Sequence, residues 1–283
     1  MIRPSRFFLF SQNRKEGTAI NVLFIGDIVG SAGRRAVREV LPVLRDKFNP
    51  HIVIANGENA AAGRGITAKI AKELFDLGIH GLTMGNHTWD NKEIFDFIDD
   101  EPRIVRPANY APGTPGRGFA VIKNGRHELL LINLIGRTFL PPFDDPFRTV
   151  DRILEEWKGR AKHVLVDVHA EATSEKISLG WHLDGRVSAV VGTHTHVQTH
   201  DERILPGGTA YVTDAGMVGA RDSVIGMEKE AVVRKFLTQM PARFVPAEGK
   251  WQFNAVFIEL DDDTGKARSI RLIRHFEDEW ITA

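Results

Sequence analysis

The chain has 283 residues, 42% of them hydrophobic and 26% charged, with 37 basic residues balanced by 37 acidic ones. That composition is ordinary for a soluble globular protein with a substantial core, and a net charge of zero excludes a global field drawing it to nucleic acid or anionic lipid, so any grip on phosphate must be local. The lack of cysteine excludes disulfides, thiolate nucleophiles and sulfur-ligated zinc, leaving His, Asp, Glu and Asn as metal ligands.

Residues 1–19 carry Arg3, Arg6 and an apolar run at 7–10, which falls short of the roughly 7–15 residues of a signal-peptide core. They read as a disordered leader ahead of a single domain, residues 20–283, in a cytoplasmic protein. No apolar run approaches the roughly 20 residues that cross a bilayer, so no membrane contact is expected.

An apolar, β-branched run at 20–25 stops at Gly26-Asp27-Ile28-Val29-Gly30, and Val37, Val40, Leu41 and Leu44 then recur at helical spacing over 32–48. The same grammar of strand, polar loop and helix repeats at 51–55, 56–65 and 67–77, and again at 81–84, 85–90 and 91–98. Such alternation predicts right-handed crossovers and a largely parallel sheet covered on both faces. The character changes at 102–115, rich in Pro, Gly and Asn; residues 118–122 and 127–134 then read as a hairpin, bringing in antiparallel strands. A helix over 147–157, a strand over 163–168, a short helix over 177–183 and a strand over 187–191 follow. Two further hairpins are expected, 203–205 with 209–213 and 251–260 with 267–273.

The polar residues just past these strand ends carry the chemistry: Asp27, Glu58 with Asn59, Asn86 with His87, His169, and His194 with His196. In open α/β sheets the carboxyl ends of parallel strands line one crevice, so tips far apart in sequence converge. Taken singly, each has a bland explanation, since Asp and Asn cap helices and form turns. Together they offer enough oxygen and nitrogen ligands for two metals, and such a sulfur-free set suits Fe, Mn or Zn. Glu58, with two oxygens, can bridge.

Five ordered blocks, Gly26-Asp27, Gly57-Glu58-Asn59, Gly85-Asn86-His87, Val168-His169-Ala170-Glu171 and Gly192-Thr193-His194-Thr195-His196, resemble those of the calcineurin-like metallophosphoesterases. In detail they resemble the YmdB type, a bacterial branch acting on small cyclic nucleotides. Supporting blocks lie at 201–205, 213–217 and 222–227. Two departures from the wider superfamily match that branch: Ile28 and Val29 follow Asp27 where a histidine ligand is usual, and Glu58 replaces a bridging Asp.

The resemblance implies an α/β/β/α sandwich with mixed sheets and a metal site at the carboxyl ends of the strands. It implies one metal held by Asp27, Glu58, Asn59 and His196 and a second by Glu58, Asn86, His169 and His194; Fe or Mn is expected, with Zn left open. It further implies hydrolysis of small, 2′,3′-cyclic nucleotides by a metal-bound hydroxide. His87, beside a ligand but not needed as one, is the candidate general acid. Glu171, Thr193, Asp214 and His200 are read as supports or rim, and Arg64 as either a phosphate contact or an ordinary solvated loop arginine. The expected partner is a small nucleotide rather than a stable nucleic-acid complex, and a homo-oligomer is left open.

Two rival readings make different demands on the chain. A dinucleotide-binding oxidoreductase fails because Gly26, Gly30 and Gly33 lack the G-x-G-x-x-G spacing. A regulatory or RNA-associated binding protein with a structural metal site predicts no hydrolysis by well-metallated protein.

Overall fold

The structure, a computed structural model, describes residues 19–278. The predicted leader therefore lies outside the described residues, apart from Ala19, which already belongs to the first strand.

Strand β1 (Ala19–Ile25) and the two-residue β2 (Asp27–Ile28) lead into α1 (Gly30–Phe48), and β3 (Ile52–Asn56), α2 (Ala68–Asp76) and β4 (Gly81–Thr83) repeat the unit. A 3-10 helix (Lys92–Asp96) and β5 (Ile104–Val105) precede the hairpin β6 (Phe119–Asn124) and β7 (His127–Ile135). Then come α3 (Pro146–Glu156), β8 (Val164–His169), α4 (Thr173–Leu183) and β9 (Ala189–Thr193). The hairpin β10 (Arg203–Ile204) and β11 (Ala210–Val212), then β12 (Met217–Ala220), α5 (Lys229–Thr238) and the long hairpin β13 (Trp251–Asp261) and β14 (Ala267–Phe276) complete the described chain.

These strands form two mixed sheets. One runs β2-β12-β13-β1-β3-β4-β5 with β14 paired to β13, the other β10-β11-β9-β8-β7-β6. β1, β3, β4 and β5 are parallel, as are β7, β8, β9 and β11; the hairpin partners β13, β6 and β10 supply the antiparallel pairings.

The period-2 alternation of strand side chains separates the core into three layers. From β1, Leu23 and Ile25 pack with Val37, Leu41 and Leu74 under α1 and α2. Its alternate residues Val22 and Phe24 meet Leu129, Leu131, Leu165 and Val191 of the second sheet. On the far face of that sheet, Leu130, Ile132 and Val166 pack against Val150 and Ile153 of α3 and Leu179 and Leu183 of α4. The order is α/β/β/α, the sandwich that the family resemblance implies. It corrects the expectation of one sheet with helices on both faces: each sheet carries helices on one side and its partner sheet on the other. A strand buried on both faces has the same apolar sequence whichever element covers it.

Other expectations also shift. The helix predicted at 91–98 is a 3-10 helix of five residues, closed by bonds from Ile94 N to Asn91 O and from Phe97 N to Ile94 O, both 3.2 Å. So short a segment cannot repay α-helix nucleation. The short helix expected at 177–183 begins earlier, at Thr173. Strands β2, β5 and β12 and helix α5 occupy stretches where no element was expected.

Candidate active site

The parallel strands of both sheets end on the same side, and their tips meet there. Asp27 follows β1, Glu58 and Asn59 turn out of β3, Asn86 and His87 follow β4, His169 is the last residue of β8, and His194 and His196 follow β9. The crevice thus lies between two sheets rather than at the reversal point of one. Glu58 Oε1 lies 3.1 Å from His169 Nε2, and the same nitrogen is 3.0 Å from Asn86 Oδ1 and 3.0 Å from His194 Nδ1. Asp27 Oδ1 stands 3.9 Å from His196 Nε2. All seven sequence-predicted ligand residues are within this cluster. Glu58, His169 and His194 bring one ligand atom each to within 4.8 Å of one another.

Local chemistry dictates how each side chain arrives. Asn56 Oδ1 accepts from Glu58 N at 3.1 Å and bends the chain after β3. Gly85 is obligatory by space, since a Cβ there would run into His169 Nε2 and Glu58 Oε2. His194 and His196 both take left-handed backbone, φ 97° and 67°, unusual for non-glycine residues and maintained only where the surroundings impose it.

Here the constraint is Asp214. Its Oδ2 accepts from Thr195 N at 3.1 Å, Thr195 Oγ1 at 2.7 Å and Lys176 Nζ at 2.7 Å. Lys176 and Asp214 are both buried, so removing one leaves the other as an uncompensated charge. Lys176→Met is expected to lower folding stability by about 3–5 kcal/mol and to weaken metal affinity with it, read by chemical denaturation and metal titration.

Each imidazole turns one nitrogen inward and anchors the other. His169 Nδ1 meets Thr193 Oγ1 at 2.9 Å, which in turn donates to Asp167 Oδ1 at 2.7 Å. His194 Nε2 lies 3.0 Å from Glu171 Oε2, and His196 Nδ1 donates to Ile225 O at 2.9 Å. Such anchoring fixes the ring orientation that metal-binding histidines require. Thr193, Glu171 and Asp214 thus act as supports, as expected. His200 does not: it is exposed and pairs with Glu202 at 3.1 Å, because the chain turns away after Val197. Sequence reasoning missed Lys176, which looks like any helix lysine, and Ile225, whose contribution is a backbone carbonyl.

The protonation states are strongly interdependent. Burial alone would raise Glu58, but the charge of His169 and its hydrogen bond outweigh burial and hold Glu58 at about 2. Burial likewise opposes charge on His169, yet Glu58 and Asp27 push it up to about 9. His194, buried and facing His169, is pushed down to about 3. Burial raises Asp27 despite His196 and His169 nearby.

Asp27 Oδ1 is buried and has no hydrogen-bond partner among the described residues. An orphaned carboxylate oxygen, a second carboxylate and three inward imidazole nitrogens form a set whose natural counterpart is a cation. Asn86 presents its oxygen to this space, whereas Asn59 presents Nδ2, 3.3 Å from Glu58 Oε1 and 3.2 Å from His196 Nε2. Asn59 can serve as a ligand only with its amide turned over.

The cluster opens into a cleft of about 290 Å³ whose lining includes Glu58, Arg64, His87, Glu171, His194 and His196. His87 donates its backbone N–H to Glu58 Oε2 at 2.8 Å and sets its ring Nδ1 2.9 Å from Asp90 Oδ2. Arg64 stands at the mouth, 3.9 Å from the same Asp90 oxygen. Among the described residues no helix is long and apolar enough to cross a membrane.

The family model described as YmdB-like protein matches residues 23–273. A 2′,3′-cyclic-nucleotide 2′-phosphodiesterase from Bacillus subtilis is 56% identical over 254 residues, covering 90% of this chain and 96% of the relative. Among solved structures, a hypothetical protein from Thermus thermophilus is 47% identical with a TM-score of 0.86, covering 91% of this chain and 100% of that one. A structure described as a novel phosphatase from Mycoplasma pneumoniae is 34% identical with a TM-score of 0.87, covering 92% and 94%.

Proposed function

This chain belongs to the YmdB-like protein family, and from that premise we propose that it is a metal-dependent phosphodiesterase that opens the ring of small 2′,3′-cyclic nucleotides, with two transition-metal ions, Fe or Mn, in its site. The observation that carries the reading is the convergence of three imidazoles and two carboxylates around the partnerless Asp27 Oδ1. The 56% identity with a relative named for that activity supports the same substrate class.

Asp27, Glu58, Asn59 and His196 would hold one ion and Glu58, Asn86, His169 and His194 the other, Glu58 serving both. When bound, such a pair supplies Lewis acidity and a nucleophilic water at neutral pH. The protein's own groups do the rest. Arg64, at the cleft mouth, lends positive charge to the phosphate locally, as a chain without net charge requires. His87 protonates the leaving ribose oxygen as the phosphorus–oxygen bond breaks. The Asp90 carboxylate, 2.9 Å from His87 Nδ1, accepts the Nδ1 proton of the imidazolium, so that Nε2 carries the second proton, the one it donates. With its water supplied from solvent, the reaction releases a nucleoside monophosphate.

The direct test is an assay of purified protein on 2′,3′-cyclic nucleotides before and after chelation and Mn or Fe add-back. Hydrolysis should vanish with the metal and return with it. A fully metallated protein that binds such nucleotides without cleaving them would overturn the reading and favour a binding role.

A further inference from the structure

The inner face of β13 changes character along its length. Val256, Ile258 and Leu260 meet the second sheet in the core, whereas Gln252 and Asn254, earlier on the same face, line a cavity of about 430 Å³. His196 and Ile225 form its wall toward the active-site cleft, which they also line. Arg221, just past β12, and Arg274 of β14 line the cavity too. Both guanidiniums lie over the buried ring of Phe276, with Cζ 4.0 and 5.0 Å from its centroid. Neither has an ion-pair partner among the described residues, and the acids that follow β14 are engaged elsewhere, Glu277 by Arg35 at 3.5 Å and Asp278 by Lys250 at 2.6 Å. Asn254 is only 3% exposed. Its Nδ2 donates to Met217 O at 2.9 Å, which fixes the amide, and its Oδ1 is left buried with no hydrogen-bond partner among the described residues. One exposed arginine is ordinarily just solvated, but two like charges gathered on one ring beside an orphaned buried acceptor call for a ligand.

We propose that this cavity is a second nucleotide site, which takes a ribonucleoside 2′- or 3′-monophosphate with its phosphate between Arg221 and Arg274 and its free ribose hydroxyl donating to Asn254 Oδ1. Guanidinium forks match phosphate oxygens two at a time, and a dianion between the two cations removes their mutual repulsion. Asn254 and Arg274 stand directly opposite each other on β13 and β14, so their side chains start about 5 Å apart on one face. One ribose can therefore reach both, with the phosphate on one carbon and the hydroxyl on the next. Opening a 2′,3′-cyclic phosphate leaves that pair of groups, so naming the ligand as the reaction product rests on the proposed function. The cyclic substrate lacks the free hydroxyl and is a monoanion, which gives the site a preference for product. The volume is in the range of small-molecule sites, roughly 300–1,000 Å³. A nucleotide held here leaves the cleft open and stands behind His196, whose Nδ1 donates to Ile225 O at 2.9 Å in the shared wall.

Isothermal titration calorimetry of the metallated full chain with adenosine 3′-monophosphate tests this. Arg221→Gln and Arg274→Gln should each weaken one nucleotide site per chain by about 10- to 100-fold. Both side chains are exposed, so the variants should keep the wild-type circular dichroism and metal content, and either suffices if the other misfolds. 2′-Deoxyadenosine 3′-monophosphate, which lacks the hydroxyl, should bind that site about tenfold less tightly, and adenosine, which lacks the phosphate, should not fill it. Binding indifferent to both arginine variants, a deoxy analogue that binds equally well, or inorganic phosphate that fills the site as tightly as the nucleotide would overturn the proposal. A rise in the KM for cyclic nucleotide that matches the loss of binding would assign the arginines to the cleft and overturn it as well. The readout is separate from hydrolysis: a chain that cleaves cyclic nucleotides but lacks the arginine-dependent site overturns this inference alone, whereas a chain that has the site but cleaves nothing overturns the proposed function and leaves the site standing.

Discussion

Glu58→Ala is expected to strip metal from the protein and to reduce hydrolysis of 2′,3′-cyclic nucleotides by more than about 10³-fold, several kcal/mol of transition-state stabilisation. Its two oxygens reach partners on both sides of the site. Oε1 lies 3.1 Å from His169 Nε2 and 3.3 Å from Asn59 Nδ2, and Oε2 accepts from His87 N at 2.8 Å. One residue thus joins the half of the cluster built on Asp27 and His196 to the half built on Asn86, His169 and His194. Glu58→Gln separates charge from shape: it keeps an acceptor for His87 N but withdraws the negative charge that holds His169 protonated in the metal-free site. Elemental analysis and turnover should fall together in both variants. A Glu58→Gln protein with full metal content and near-normal rate would show that neither ion depends on this carboxylate.

The second large effect belongs to His87. His87→Ala should retain metal and lose about 10²–10⁴ in kcat on cyclic nucleotides, the range a general acid contributes. On a nitrophenyl diester the loss should shrink to within about tenfold, because nitrophenolate departs without a proton. His87 suits the task by position: its side chain is partly exposed on the cleft wall and its Nδ1 is fixed by Asp90 at 2.9 Å, while Asn86, its neighbour, points into the metal cluster. A uniform loss on both substrates would contradict the acid role and leave His87 as a support for Glu58 through its backbone N–H.

The clustered residues were legible because the fold announces their positions. A β-branched run that stops at a polar loop marks a strand tip, and five such tips carried Asp27, Glu58, Asn86, His169 and His194. Their meeting could be argued from the shared direction of parallel strands. What the tips could not tell is that they come from two sheets: Val22 and Phe24 are as apolar as Leu23 and Ile25, and nothing in β1 says which pair meets a helix and which a second sheet. The supports were harder to see. Lys176 buries its charge on Asp214 by a contact 38 residues away in sequence, and a lysine in a helix ordinarily faces water. Ile225 holds His196 through its carbonyl, and a backbone group leaves no mark on residue type. Helix α5 went unassigned since its sequence mixes charge with Val233, Phe236 and Leu237 on faces that the rest of the chain does not bury.

The central claim, that side chains from both sheets hold a pair of ions, is tested most directly by anomalous diffraction from crystals grown with Mn or Fe. Two peaks should appear on either side of Glu58, one among Asp27, Asn59 and His196, the other among Asn86, His169 and His194. A single peak, or none in crystals of protein that still hydrolyses cyclic nucleotides at full rate, would contradict it.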